Sequence, residues 1–308
     1  MNMNDTIGVQ GLKIDFVLPD RKVQVLKDLT ITFSPNKVTG IIGESGSGKS
    51  VLGMAMLGIL PPYAEVQGGF FFEERTFAYR SDMQKALLGR ELGFIPQNPQ
   101  EAMNPSRKIR KQLYEALSVK YKNRDQIREK AQSVLQNMGF NDPKKILDSY
   151  PYELSGGMQQ RALSAISVCC EPKWIIADEP TKGLDKELCD QVAENFLKLQ
   201  QLGVEGMIVI THDIDLAEKI CDEILVMYGG KVLERGSRVI RDPRHPYTKA
   251  LIESMPERKL EPIQDADREV GQGCLFAPRC SRRMPVCMTE RPPLVHFEEG
   301  SVECFLYG

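Results

Sequence analysis

Gly43-Glu44-Ser45-Gly46-Ser47-Gly48-Lys49-Ser50 decides the fold. The apolar stretch Val38 to Ile42 precedes it, and Val51 to Leu60 follows with few helix breakers. The motif therefore sits where a strand turns into a helix, the context that a phosphate-binding loop requires. Gly43, Gly46 and Gly48 let the backbone take angles other residues avoid and approach an anion closely. Successive N–H groups and the positive end of the following helix then cradle phosphates. Lys49 reaches the β- and γ-phosphates, and the Ser50 hydroxyl suits Mg²⁺.

The 308 residues suffice for one large α/β domain plus an appendage. With 27% charged residues and a net charge of −2, the chain has no strong field for nucleic acid or anionic lipid. No apolar run reaches the roughly 18 residues needed to cross a bilayer. Met1 to Val9 lacks a basic region followed by an apolar core. The expectation is a cytosolic protein that reaches a membrane only through a partner.

Residues 7–34 alternate apolar and polar positions over Val9 to Val17 and Val23 to Phe33, which predicts an antiparallel pair. Phe16 is the aromatic nearest its turn, a candidate for stacking on adenine or for the core. Pro61-Pro62 predicts the end of the helix after the phosphate loop. Leu92 to Pro96 reads as a short buried strand that delivers Gln97, whose amide suits Mg²⁺ or an attacking water. Spaced apolar residues from Lys108 to Phe140 predict helices inserted into the α/β alternation. Leu154-Ser155-Gly156-Gly157-Met158-Gln159-Gln160-Arg161 opens another helix, either as a second anion-binding surface or as a simple N-cap. Trp174 to Ala177 predicts a buried parallel strand with Asp178 and Glu179 at its C-terminal end, where α/β proteins place ligands. Asp178 suits Mg²⁺ and Glu179 suits the role of general base. Asp185 to Leu202 reads as a helix. Met207 to Ile210 is a further strand ending near His212, one of three histidines. Ile224 to Met227 and Lys231 to Glu234 flank a Gly229-Gly230 turn and predict a hairpin.

Five motifs stand in one order: phosphate loop, strand-end Gln, Ser-Gly-Gly helix start, Asp-Glu strand end and strand-end His. Together they resemble the ATP-binding subunit of an ABC transporter, over roughly residues 5–240. The resemblance implies a P-loop NTPase (RecA-like) α/β core with an antiparallel β subdomain and an inserted helical subdomain at about 98–155. These make up residues 1–240, and residues 241–308 form a Cys-rich C-terminal extension. It implies a head-to-tail dimer. ATP contacts fall to Gly43, Glu44, Ser45, Gly46, Ser47, Gly48, Lys49, Ser50 and Val51 of one subunit. Ser155, Gly156, Gly157 and Gln159 of the other complete the site. Ser50, Gln97 and Asp178 would hold Mg²⁺, and Glu179, His212 and Gln97 would act on the water and γ-phosphate. Lys182-Gly183 departs from the Ser or Thr then Ala that precedes Leu-Asp in most relatives, a departure bearing on cross-talk between paired sites.

The phosphate loop, Asn104-Pro105 and Arg244-His245-Pro246-Tyr247-Thr248-Lys249-Ala250-Leu251 resemble the oligopeptide, dipeptide and nickel importers. Implied partners are a second ATPase subunit, two integral membrane permease subunits and, indirectly, an extracellular binding protein. The implied place is the cytoplasmic face of the cell membrane. The alternative is an ABC ATPase that powers a soluble assembly such as carbon–phosphorus lyase. No nucleic-acid partner is expected.

Of eight cysteines, Cys169, Cys170, Cys189 and Cys221 read as buried small apolar residues. Residues 256–273 read as a linker. Beyond it, Cys274, Cys280, Cys287 and Cys304 lack the Cys-x-x-Cys pairs of common zinc modules. In a reducing cytosol they suit a four-thiolate metal site better than disulfides. They resemble the importer subfamily's C-terminal extension, in which some members carry a [4Fe–4S] cluster. Zinc, or free thiols in a packed tail, are the other readings.

Overall fold

The computed structural model describes residues 5–184, 186–201, 203–254 and 272–308. Asp185, Leu202 and most of the expected linker lie outside the described residues. Strands β1 (Ile7–Val17) and β2 (Lys22–Phe33) pair antiparallel, with Ile7 opposite Phe33 and Val17 opposite Lys22. Strand β3 (Lys37–Ile42) leads into the phosphate loop, and α1 (Lys49–Leu57) leaves it. The helix stops earlier than Pro61-Pro62 suggests. Gly58 takes φ 74° and donates its N–H to the Ala55 carbonyl, a left-handed cap three residues upstream of the first proline.

The chain continues through β4 (Ala64–Phe72), β5 (Arg75–Phe77), α2 (Asp82–Leu87) and β6 (Leu92–Ile95). Four helices then replace the alternation: α3 (Pro99–Ala102), α4 (Ile109–Leu117), α5 (Arg124–Asn137) and α6 (Pro143–Asp148). Helix α7 (Gly156–Val168), strand β7 (Trp174–Asp178), helix α8 (Lys186–Gln201) and strand β8 (Gly206–Ile210) restore it. Next come α9 (Ile214–Ile220), then β9 (Glu223–Tyr228) and β10 (Lys231–Gly236), the expected hairpin. Gly229 and Gly230 both have positive φ in its turn, as a type I′ turn requires. Helices α10 (Pro246–Glu253) and α11 (Val286–Thr289) and strands β11 (Leu294–Phe297) and β12 (Gly300–Glu303) complete the chain.

The chain falls into two compact units. The first joins residues 1–33, 38–79 and 211–308. It holds an antiparallel sheet in the order β2-β1-β4-β5 and a second run of strands, β11-β12-β10-β9-β3, in which only β3 and β9 are parallel. Its core includes Ile42, Val226, Tyr228, Tyr247 and Phe276, so the C-terminal extension is built into the same apolar cluster as the strand feeding the phosphate loop. The second unit, residues 34–37 and 80–210, carries the parallel strands β8-β7-β6 and helices α2 to α8. Every residue of β7 and β8 is buried, the pattern of a parallel sheet covered on both faces. Leu113 and Leu117 of α4 and Ala131 and Leu135 of α5 are fully buried in the helical part.

At Gly206, which opens β8, an added Cβ would lie 2.5–2.7 Å from three atoms of the Trp174 ring, itself almost completely buried. A packed indole cannot yield as a flexible chain end does. Gly206→Ala is expected to destabilise the protein by about 1–3 kcal/mol, measured as a lowered urea midpoint with an unchanged slope.

Candidate functional site

The first unit builds the phosphate loop. Gly43 has φ 151°, and a Cβ there would stand 2.2 Å from the Met227 carbonyl oxygen. Gly48, at φ 101°, caps α1, and its Cβ would strike Leu26 at 2.6 Å. These two positions admit only glycine. Lys49 is buried, and its Nζ donates to the carbonyls of Gly43 (2.7 Å) and Glu44 (2.9 Å), which curls the loop around the ammonium. The Ser47 N–H donates to the Glu44 carbonyl, and the Gly230 N–H donates to the Ser47 carbonyl, so the β9–β10 turn braces the loop. Ser45 and Gly46 are exposed, while Ser50 and Val51 lie half-buried in the first turn of α1. The result is an anion-binding nest ending on a helix N-terminus.

His212 belongs to the same unit. It follows Thr211, whose N–H donates to the Ile41 carbonyl (3.1 Å) near the end of β3, and its side chain is exposed. Phe16 is half-buried and meets Tyr63 edge-on, with ring centroids 5.3 Å apart. Tyr63 had no periodic or motif signal to single it out.

The second unit presents Gln97, the acids and the Ser-Gly-Gly helix start. Gln97 is half-buried just beyond β6. Asp178 ends β7 opposite Ile210, and the Glu179 N–H donates to the Ile210 carbonyl (2.8 Å). Glu179 has φ 48°. A left-handed conformation at a non-glycine residue costs roughly 1–2 kcal/mol. Strain of this kind gathers where surrounding structure fixes a side chain for use. The Gln160 amide donates to the Pro180 carbonyl (3.2 Å), tying α7 to the turn that follows the acids.

Ser155 caps α7, accepting the Met158 N–H at 3.4 Å, and is exposed together with Gly156. Gly157 is half-buried, and its Cβ would lie 2.6 Å from Leu188. Gln159 is buried, and its amide donates to the carbonyls of Pro151 and Leu154, both at 3.0 Å. That amide therefore shapes the loop ahead of the helix. Lys182 and Gly183, the latter at φ 76°, stand in the turn after the acids.

The extension gathers its four cysteines. Cys274, Cys287 and Cys304 are buried and Cys280 is half-buried. Burial pushes the Cys274 thiol up to about 11, and the other three thiols add to the shift. Burial also raises Cys280 and Cys304, each of which feels the charge of Cys287. The Met284 N–H donates to the Cys287 sulfur at 3.4 Å, and the backbone at Phe276, Arg282 and Leu306 draws the Cys274, Cys280 and Cys304 thiols partly back down. Such donors favour thiolate. The chemistry of the set therefore fits a cationic group held by four thiolates, which would offset the burial penalty. Among the described residues no group of three or more His, Cys, Asp or Glu is placed to hold a metal ion. No helix among them is long and apolar enough to cross a membrane.

The ABC transporter family profile matches residues 26–182, and that of the oligopeptide/dipeptide transporter C-terminal region matches residues 233–287. The dipeptide transport ATP-binding protein DppD of Bacillus subtilis is 34% identical over 319 aligned positions, covering 99% of this chain and 95% of that protein. The oligopeptide transport ATP-binding protein OppD of Haemophilus influenzae is 34% identical over 318 positions, covering 99% and 98%. Among solved structures, the dimeric post-hydrolysis ATP-binding cassette MJ0796 with ADP and Pi superposes with a TM-score of 0.66 at 21% identity. It covers 78% of this chain and 99% of that one. CbiO1 of Clostridium perfringens, part of the transporter complex cbiONQ, gives a TM-score of 0.63 at 26% identity, covering 76% and 88%.

Proposed function

The chain belongs to the ABC transporter family of ATP-hydrolysing subunits, and on that premise we propose that it powers a peptide importer from the cytoplasmic face of the membrane. The observation that carries this reading is the resemblance of the whole length, extension included, to dipeptide and oligopeptide transport ATPases. No observation favours the alternative of a soluble assembly such as carbon–phosphorus lyase. We place the nucleotide-binding cassette at residues 1–240 and the extension at 241–308. The partners in this proposal are a second ATPase subunit and two permease subunits, fed by an external binding protein.

The residues divide the work. Backbone N–H groups of Gly43 to Ser50 and the N-terminus of α1 take the phosphates. Lys49, now bonded to the loop carbonyls, turns its charge toward the β- and γ-phosphates. Ser50, Gln97 and Asp178 would hold Mg²⁺, which would supply charge neutralisation at the phosphates. Glu179 accepts the proton of the attacking water, and His212 orients the γ-phosphate. Ser155, Gly156 and Gly157 of one subunit close on the ATP of the other. The exposure of Ser155 and Gly156 supports an intermolecular role. Positioning and charge stabilisation supply most of the acceleration.

For the extension we propose a [4Fe–4S] cluster on Cys274, Cys280, Cys287 and Cys304. Four free thiols in one segment, three buried and one half-buried, support this reading, since four thiolates suit such a cluster. The cluster would staple a segment whose short strands and single-turn helix lack a core of their own.

Growth of a deletion strain on a dipeptide as its sole source of a required amino acid tests the importer. The intact gene restores growth and the Lys49→Ala gene does not. Restoration by Lys49→Ala, or unimpaired growth of the deletion strain with no second uptake system present, contradicts it.

A further inference from the structure

Glu44 lies inside the phosphate loop and is held at three points. Its carbonyl accepts from Lys49 Nζ (2.9 Å), a contact within the loop. The other two come from residues more than 200 positions downstream. The N–H of Glu44 donates to the Tyr247 hydroxyl at 2.8 Å. Its carboxylate receives both arms of the Arg279 guanidinium, Nη1 to Oε2 at 2.8 Å and Nη2 to Oε1 at 2.9 Å. Arg279 is the residue before Cys280, and its side chain is only 5% exposed. It also donates to the Tyr228 hydroxyl (3.3 Å), and its guanidinium lies 5.6 Å from the Tyr228 ring centroid and 5.9 Å from that of Phe276. Tyr247 is completely buried, with its ring centroid 4.7 Å from Tyr228 and 5.3 Å from Phe276.

A rigid aromatic box thus aims one guanidinium and one hydroxyl at a single residue of the loop. A bidentate pair of this burial is directional and strong, and lysine cannot reproduce its geometry. Fixing Glu44 fixes its carbonyl, and with it the resting place of the Lys49 ammonium.

We propose that Arg279 and Tyr247 are positioning residues for ATP. They grip Glu44 by its carboxylate and its amide, so that the C-terminal extension sets the shape of the phosphate loop. The proposal rests on the reading of that loop as the ATP site. The same grip links the cysteine-bearing segment to the nucleotide, since Arg279 and Cys280 are adjacent in one short turn.

The test is Mg²⁺-ATP binding by equilibrium dialysis, on the full chain with Glu179→Gln to stop turnover. Arg279→Gln and Glu44→Gln are each expected to weaken binding about 10-fold, the equivalent of about 1.4 kcal/mol. The double variant should bind no worse than either single one, because both remove the same contact. Arg279→Lys should recover part of the loss. Tyr247→Phe, which keeps the ring, should cost about 3-fold. Melting without nucleotide accompanies each variant. If Arg279 only anchors the tail, its variants melt lower but bind ATP normally; that result overturns the proposal, as do binding losses that add in the double variant. Lys49→Ala separates the layers. If it binds ATP normally, the reading of the loop falls. If it loses ATP while the Arg279, Glu44 and Tyr247 variants all bind like the parent, only this proposal falls.

Discussion

Replacing Glu179 by Gln is expected to cut ATP turnover by about 10²- to 10⁴-fold, the span attributed to a positioned general base. ATP affinity should change less than about 3-fold, since the carboxylate acts on the water and not on the bound phosphates. Glutamine has the same shape, so packing around this nearly buried side chain is preserved. The backbone at φ 48° and the bond from the Glu179 N–H to Ile210 do not depend on the side-chain charge. A single-turnover assay separates the effects, because binding and closure precede the chemical step. Turnover within a factor of ten of the parent would mean that another group takes the proton, and the assignment of Glu179 would fail.

Replacing Cys287 by Ser has the second largest expected effect. Anaerobically purified protein should fall from about four irons per chain to fewer than one, since a four-thiolate cluster loses its closure with one ligand gone. The broad visible absorption should vanish with the iron. Melting should drop by several degrees, because binding of the proposed cluster would double as folding energy. Cys287 packs in the same apolar cluster as Tyr228, Tyr247 and Phe276, so loosening it disturbs the floor under Arg279 and Glu44. One zinc per parent chain would replace the cluster with a mononuclear site. A parent chain with no metal, and a Cys287→Ser variant that melts like it, would leave the cysteines as packing alone.

The phosphate loop, the strand-end acids and the helix of the Ser-Gly-Gly motif were all legible in the sequence. Their signals are local: glycines at fixed offsets, continuous apolar runs, and polar residues where the runs end. The helix after the loop ends before Pro61-Pro62, although the two prolines are the louder signal. A left-handed Gly58 ended it first, and an isolated glycine does not announce its φ. Glu179 stands out as an acid, yet its left-handed backbone has no signature in residue type. Gln159 had the right neighbours for a ligand, but its amide goes to the carbonyls of Pro151 and Leu154. The grip of Arg279 and Tyr247 on Glu44 spans separations of 235 and 203 residues. Periodicity does not reach that far. Only tertiary packing brings the extension to the loop.

The most direct test of the central claim is a pull-down of the Glu179→Gln chain from native membranes with ATP present, followed by mass spectrometry. The variant should hold the closed ATP-bound state and retain its partners. Two multi-span membrane proteins and a second ATPase subunit are the predicted result. Soluble enzymes recovered in their place, with no membrane protein among them, would contradict the importer and leave the ATPase chemistry alone.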